Sequence, residues 1–211
     1  MNNNGNIFAR GWSKFFNATE DRAPKYSPDD AVEVTDKVDG SLGVLYVDED
    51  GVEKIATRGS FYSEQALRGT EIMREKYPNI WWEDGEITPL VEIVYPENRI
   101  VCDYGDREDL VLLGGVTNDG VYVGPEQASE FINGAALPQT EVLYRGAYGN
   151  IPQEVFDREG AEGVCIRRVG TSDIIKVKQE EYVRLHKIVT GLNERTVWQH
   201  MYDGGSLGEL L

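Results

Sequence analysis

From Val32 onward the chain alternates hydrophobic and polar positions with a period of two, or runs in short β-branched blocks separated by turn residues. VEVTDKV (32–38), GVLYVDED (43–50) and VEKIATRG (52–59) have this form, with DEDG at 48–51 as a turn, and predict successive antiparallel strands. The period then lengthens. SEQALRGTEIMREKY (63–77) puts Ala66, Met73 and Tyr77 on one helical face, with Ser63 as N-cap and Pro78 as the stop, although Gly69 weakens the helix. Strands resume at PLVEIVYP (89–96), RIVCDY (99–104) and DLVLLGGVT (109–117). Short helices are predicted over PEQASEFI (125–132), with Pro125 in the first turn, and from Pro152. EGVCIRRVGTSDIIKVK (162–178) reads as a hairpin turning over Gly170 to Asp173, and QEEYVRLHKIV (179–189) as a helix stopping near Gly191. A last helix is expected over 194–202, before Asp203-Gly204-Gly205. The sum is an α+β fold of mixed, mainly antiparallel β-sheets flanked by helices, with one domain over 1–187 and a short helical extension over 188–211.

The first thirty residues are polar and are broken by Pro24 and Pro28, with an aromatic island, ARGWSKFFN, at 9–17. A chain of 211 residues that is 40% hydrophobic can bury a real core. MNNNGNIFARGW has no apolar h-region and no window approaches a membrane span, so a cytoplasmic protein without membrane association is expected. Cys102 and Cys165 sit in apolar, strand-like runs and read as two reduced, buried thiols; with His186 and His200 they lack the spacing of a structural zinc site.

A net charge of −16 opposes coating of nucleic acid by bulk electrostatics. The charge is uneven, however. Residues 18–53 carry eleven acids against three bases, whereas 162–187 carry six bases against four acids, which leaves room for a local basic groove.

KVDG (37–40) places a lysine at the mouth of a tight turn. Alone it is a surface Lys–Asp pair at a hairpin, but other stretches add to it. Arg58 in TRGS ends the hairpin that Lys37 would open, and Glu92 is an isolated acid on the apolar strand VEIVYP. Glu162 is followed by Gly163, where backbone must come close to something. Lys176 and Lys178 in IIKVK project from one face, which is unfavourable unless an anion sits between them. One amine, two acids and two lysines suit a nucleoside triphosphate: the lysine pair holds the α-phosphate and depresses the pKa of Lys37, one acid orders Mg2+ or its waters, and the other binds ribose. The reaction implied is nucleotidyl transfer onto Lys37 with loss of pyrophosphate.

In this order and spacing, KVDG, TRGS, LVEIVYP, EGVCIR and IIKVK resemble motifs I, Ia, III, IV and V of the covalent nucleotidyltransferases, the superfamily of RNA and DNA ligases and capping enzymes. KFFN, KVDGSL, SEQAL and VEIVYPENRIV look most like the phage RNA ligase 1 family, from about Arg10 to about His186. The resemblance implies that Lys37 is the adenylated lysine, that Lys14 and Phe16 contact the nucleotide, and that Arg58 serves ligation. It further implies that Glu92 engages the nucleoside, that Glu162 and Gly163 belong to the nucleotide site with Glu162 serving the metal through water, and that Lys176 and Lys178 bind phosphate. Asp39 positions the turn, and Gly40 lets the backbone approach the nucleotide.

The function expected is ATP-dependent joining of 5'-phosphate and 3'-hydroxyl RNA ends, with ATP as co-substrate and Mg2+ or Mn2+ as metal. The partners implied are single-stranded RNA or broken tRNA ends, with a polynucleotide kinase/phosphatase acting upstream, in RNA repair by a phage-encoded monomer. RNA would lie along a basic strip including Arg58, Arg167 and Arg168. The family's best-studied members have a longer N-terminal stretch and a helical C-terminal domain, so this chain reads as a minimal ligase or a truncated one. Two alternatives stay open: a self-adenylating subunit that needs a partner to seal, and a ligase for DNA or nicked duplex.

Overall fold

Twelve strands, three α-helices and three single 3-10 turns are found among the described residues, 9–82, 86–191, 199 and 202, in the computed structural model. The strands are β1 (Phe16–Asn17), β2 (Ala31–Asp36), β3 (Ser41–Val47), β4 (Glu53–Thr57), β5 (Trp81–Trp82) and β6 (Ile87–Val94). They continue with β7 (Asp109–Thr117), β8 (Tyr122–Val123), β9 (Ile132–Asn133), β10 (Val142–Ala147), β11 (Gly163–Arg168) and β12 (Ile174–Lys178). The helices are α1 (Glu64–Lys76), α2 (Pro125–Ser129) and α3 (Glu180–Gly191).

Two five-stranded sheets carry the fold, one ordered β1-β12-β11-β2-β10 and the other β4-β3-β6-β7-β8. Neighbours are antiparallel except for β1 beside β12, so the class is α+β. The alternation read along the chain sorts side chains onto sheet faces. Leu45, Ile55, Val91, Ile93, Leu110 and Leu112 turn one face of the second sheet toward α1, which delivers Ile72 and Met73 to the same cluster. Leu90, Val116, Cys165 and Ile174 join the facing surfaces of the two sheets, with Trp12, Phe15, Leu42 and Val44 packed against them. The far face of the first sheet is covered by a third cluster around Val32, Val34, Val164, Ile166 and Ile175.

The helix predicted over 63–77 forms as α1, capped by the Ser63 hydroxyl accepting from the Ala66 N–H. Gly69 is tolerated because Ile93 fills the space beside it: a Cβ there would stand 2.9 Å from Ile93 Cδ1. RIVCDY is not a strand. Its Val101 and Cys102 N–H groups donate to the Asp39 carboxylate, each at 2.9 Å, instead of to a neighbouring strand. The helix predicted over 125–132 stops at Ser129 because Ile132 and Asn133 are drawn into a two-stranded ribbon with Trp82 and Trp81. From Pro152 only a single 3-10 turn forms, over Gln153–Val155. The helix expected over 194–202 lies outside the described residues, save Gln199 and Tyr202.

The arginines of β11 are also spoken for. Arg167 donates to buried Glu33 on β2 at 2.9 Å and to the Tyr122 carbonyl at 3.0 Å; Arg145 holds the other Glu33 oxygen at 2.8 Å. Arg168 pairs with Asp173 at 2.7 Å and Asp30 at 3.1 Å. The strip expected through Arg167 and Arg168 is therefore corrected: Arg167 is spent on buried Glu33 and the Tyr122 carbonyl, and Arg168 on Asp30 and Asp173, so both guanidiniums serve the fold. Replacing Arg167 by Met should lower stability by on the order of 1–3 kcal/mol in urea unfolding, because one oxygen of buried Glu33 loses its partner while Arg145 keeps the other.

Candidate active site

β2 ends at Asp36 in one sheet and β3 begins at Ser41 in the other, so residues 37–40 are the crossover between them. The Lys37 N–H continues the β2–β11 ladder by donating to the Gly163 carbonyl at 2.9 Å. That bond fixes where its side chain starts. The Lys37 ammonium donates to Glu162 Oε2 at 2.8 Å, and the Lys178 ammonium sits 2.8 Å from Oε1 of the same carboxylate, whose residue is only 3% exposed. Thus the anion that the lysine pair requires is supplied from within, although Glu162 takes Lys178 and Lys37 and not Lys176 and Lys178. Lys176 shares the face of Lys178, lies opposite Cys165 in the register, and hangs over the Phe15 ring at 5.5 Å.

Electrostatics follow from this packing. Burial opposes the charge on Lys37, but the neighbouring Glu162 carboxylate outweighs it, and its pKa is raised. The expected depression by the KVK pair is therefore corrected for the free protein. Lys176 is the lysine pushed down, by burial first and then by Lys178 and Lys37. Burial lifts the Cys165 thiol to about 11, so it stays neutral.

Glu92 belongs to a strand whose eight residues are all buried, and it stands opposite Leu42 of β3. Burial pushes its carboxyl up to about 8; Lys37 works against the rise, Glu162 and Asp39 add to it, and the Gly40 N–H lowers it. Gly40 owes its smallness to this strand. A Cβ there would meet the Ile93 carbonyl at 2.6 Å and Glu92 Cγ at 3.0 Å, so the close approach the structure requires of Gly40 is to β6. Gly163, at φ +150°, has the same need toward β12: a Cβ would fall 2.1 Å from the Val177 carbonyl oxygen.

Asp39 is a buried brace. Besides the two N–H groups from the loop after β6, it accepts from the Tyr182 hydroxyl of α3 at 2.7 Å, while its own N–H donates to the Tyr104 hydroxyl at 2.9 Å. Burial and the Asp39 bond raise the Tyr182 pKa, keeping the phenol a donor. The Tyr182 ring also faces Lys178 at 4.8 Å and stacks on His186 at 5.8 Å. A cavity of about 480 Å³ lies between Lys176, Lys178, Tyr182, His186 and Lys187, a cationic lining suited to phosphate. Tyr182, Tyr104 and Phe15 escaped the sequence reading. For Tyr182 the signal was its place four residues beyond Lys178, in the first turn of the helix that follows.

Three expected residues lie apart. Phe16 pairs with Ile175 in the β1–β12 register and packs into the far-face cluster, so its neighbour Phe15, one residue out of phase, takes the site side. Lys14 is exposed, 5.2 Å over the Phe16 ring. By this one-residue phase Phe15, and not Phe16, turns toward Lys176. Arg58 is exposed at the rim of a cavity of about 250 Å³ that it shares with Trp12, Leu42, Val44 and Phe61. Among the described residues no three acidic, His or Cys groups converge to hold a metal. The donor set fits a phosphate-borne ion touching Glu162, with no cage made by the protein.

The RNA ligase family model matches residues 1–182. A putative RNA ligase of Thermovibrio ammonificans is 27% identical over 202 residues, covering 90% of this chain and 52% of that protein. Among solved structures, a lysine-to-alanine mutant of Naegleria gruberi RNA ligase with ATP and Mn superposes with a TM-score of 0.57 at 16% identity, over 75% of this chain and 52% of the other. An archaeal ATP-dependent RNA ligase gives 0.55 at 14% identity, over 82% and 49%. The chain thus spans about half the length of these relatives, and the two structures share its fold.

Replacing Tyr182 by Phe should strand one lone-pair site of buried Asp39 and cost on the order of 1–3 kcal/mol in urea unfolding. For Glu92, whose folded pKa of about 8 lies above its unfolded value of 4.5, the contribution to stability is fully present below pH 4.5 and is lost as pH rises through about 8. Glu92→Gln should therefore melt several degrees above the wild type near about pH 9 and close to it near about pH 4, by calorimetry.

Proposed function

The chain belongs to the RNA ligase family, and on that premise we propose that it is an ATP-dependent RNA ligase, joining 5'-phosphate to 3'-hydroxyl ends through AMP carried on Lys37. The observation that carries this reading is the Glu162 carboxylate gripping the Lys37 and Lys178 ammoniums, each at 2.8 Å. A half-buried amine, a phosphate-binding cation and an acid able to exchange partners share one point.

Before Lys37 can act its ammonium must lose a proton, and Glu162 is what keeps that proton on. A divalent ion entering with the triphosphate would neutralise phosphate charge and compete for Glu162. With the carboxylate turned away, Lys176 and Lys178 face Lys37 uncompensated, its pKa falls, and the proton leaves to solvent. The Lys37 nitrogen then attacks the α-phosphorus: an N–P bond forms, the bond to pyrophosphate breaks, and Lys178 with Lys176 holds the α-phosphate. Next the RNA 5'-phosphate oxygen attacks the same phosphorus, the N–P bond breaks, and Lys37 is restored. Finally the 3'-hydroxyl attacks the RNA 5'-phosphorus, loses its proton and expels AMP. Throughout, Asp39 fixes the crossover from which Lys37 projects, and in this reading Glu92, opposite Leu42, accepts from ribose hydroxyls.

Arg58 does not touch the amine and stands at the rim, a place suited to the phosphate backbone of an incoming end. Single-stranded or broken tRNA ends, an upstream kinase/phosphatase, a role in RNA repair, a phage source, a cytoplasmic location and a monomeric state complete the reading on the strength of the resemblance.

Incubation with ATP and magnesium should add the mass of one AMP to the intact protein, and Lys37→Ala should abolish the gain while keeping the circular-dichroism spectrum. A label that survives this substitution would remove Lys37 from its role. Arg58→Ala should retain the AMP gain but slow joining of 5'-phosphorylated single strands by about tenfold or more. Because Lys37 is held protonated, the rate of the first step should rise with pH from neutral into the alkaline range, followed by the initial rate of AMP labelling.

A further inference from the structure

Between β4 and α1 the chain presents two aromatic side chains to solvent: Phe61, 47% exposed, and Tyr62, 82% exposed. Such exposure usually accompanies a loose loop. Here the backbone is fixed. Thr57 and Ser60 exchange both backbone hydrogen bonds, at 2.9 and 3.3 Å, and the Tyr62 N–H donates to the Ser60 hydroxyl at 2.9 Å. The Thr57 and Ser63 hydroxyls are bonded at 2.8 Å, and Ser63 in turn caps α1. The rings are ordered as well. Phe61 meets Tyr46 edge-on at 5.2 Å and 70°, and Tyr62 meets Phe61 at 6.5 Å and 62°, a stepped surface whose outermost face is Tyr62.

Place and charge say what this surface takes. Arg58 is on the same turn, and with Phe61 and Leu42 it walls the cavity of about 250 Å³. Leu42 is the register partner of Glu92, so the aromatic steps lie at the outer end of a wall that leads back to the active site. In a chain of net charge −16, an exposed guanidinium beside rigid aromatic faces is matched to a ligand that is both anionic and planar. A protein hydrophobe would use the rings and not the charge. A nucleotide uses both, its base on the ring and its phosphate on Arg58.

We infer that Tyr62, backed by Phe61, is a stacking platform for a base of single-stranded RNA next to the ends being joined, with Arg58 taking the adjoining phosphate; this rests on the ligase reading above. Stacking on one aromatic face tolerates any base, so the platform favours unpaired ends without reading their sequence.

The test uses the full chain, a fluorescently labelled single-stranded oligoribonucleotide, and Tyr62→Ala beside Tyr62→Trp. For Tyr62→Ala the Kd from anisotropy and the KM for the 3'-hydroxyl strand should each rise about tenfold, whereas Tyr62→Trp should keep both near wild type. AMP gain on Lys37 should be equal in all three proteins. A 4-thiouridine at the 3' end should cross-link to the tryptic peptide containing Phe61 and Tyr62. An unchanged Kd in Tyr62→Ala, or cross-links confined to other peptides, overturns the platform, as does equal binding of a fully paired duplex. Absence of AMP gain in the wild type would overturn the ligase reading instead, and the anisotropy comparison still decides the platform.

Discussion

One carboxylate organises this molecule. Glu162 is almost wholly buried, and a charge so placed is tolerable only while paired on both oxygens; the Lys37 and Lys178 ammoniums do so at 2.8 Å each. Its partners come from either side of its own strand, Lys37 from the end of β2 and Lys178 from the end of β12. Satisfying Glu162 therefore fixes the mouths of three adjacent strands and holds the Lys37 amine beside Lys178. The same grip keeps that amine protonated. On the mechanism proposed above, what stabilises the free protein must yield before chemistry begins.

Asp39 does for the backbone what Glu162 does for the side chains. Its carboxylate gathers two N–H groups from the loop after β6 and the Tyr182 hydroxyl from α3, tying the crossover between the sheets to both. Lys37 lies two residues away. A nucleophile on an unbraced turn would sample many positions; a buried, multiply accepting carboxylate removes that freedom before any substrate arrives. The two close glycine approaches, Gly40 against β6 and Gly163 against β12, press the acids and the lysines into one volume.

Charge is managed by position and not by total. An acidic chain can still handle phosphates because its arginines of β11 are consumed by Glu33, Asp30 and Asp173, while Lys176, Lys178 and Lys187 are gathered at one cavity. For the RNA substrate proposed above, the surplus of acid opposes adhesion elsewhere and favours contact at the exposed cations near the amine.

Periodicity in the sequence was enough to determine most of the sheet strands, α1 with its Ser63 cap, the 162–178 hairpin and the shared face of Lys176 and Lys178, because alternation and capping are local rules that each segment obeys by itself. Motif order likewise marked Lys37, Glu92 and Glu162 as one set. Tertiary structure alone decided which lysine Glu162 would hold, that RIVCDY would spend its N–H groups on Asp39 in place of a strand, that Arg167 would face a buried acid, and that Phe15 rather than Phe16 would turn toward Lys176. Each of those outcomes depends on a partner far away in the chain or on a one-residue phase between strands, and pairing across such distances is set by burial and charge balance in the assembled fold, which no short stretch of residues encodes.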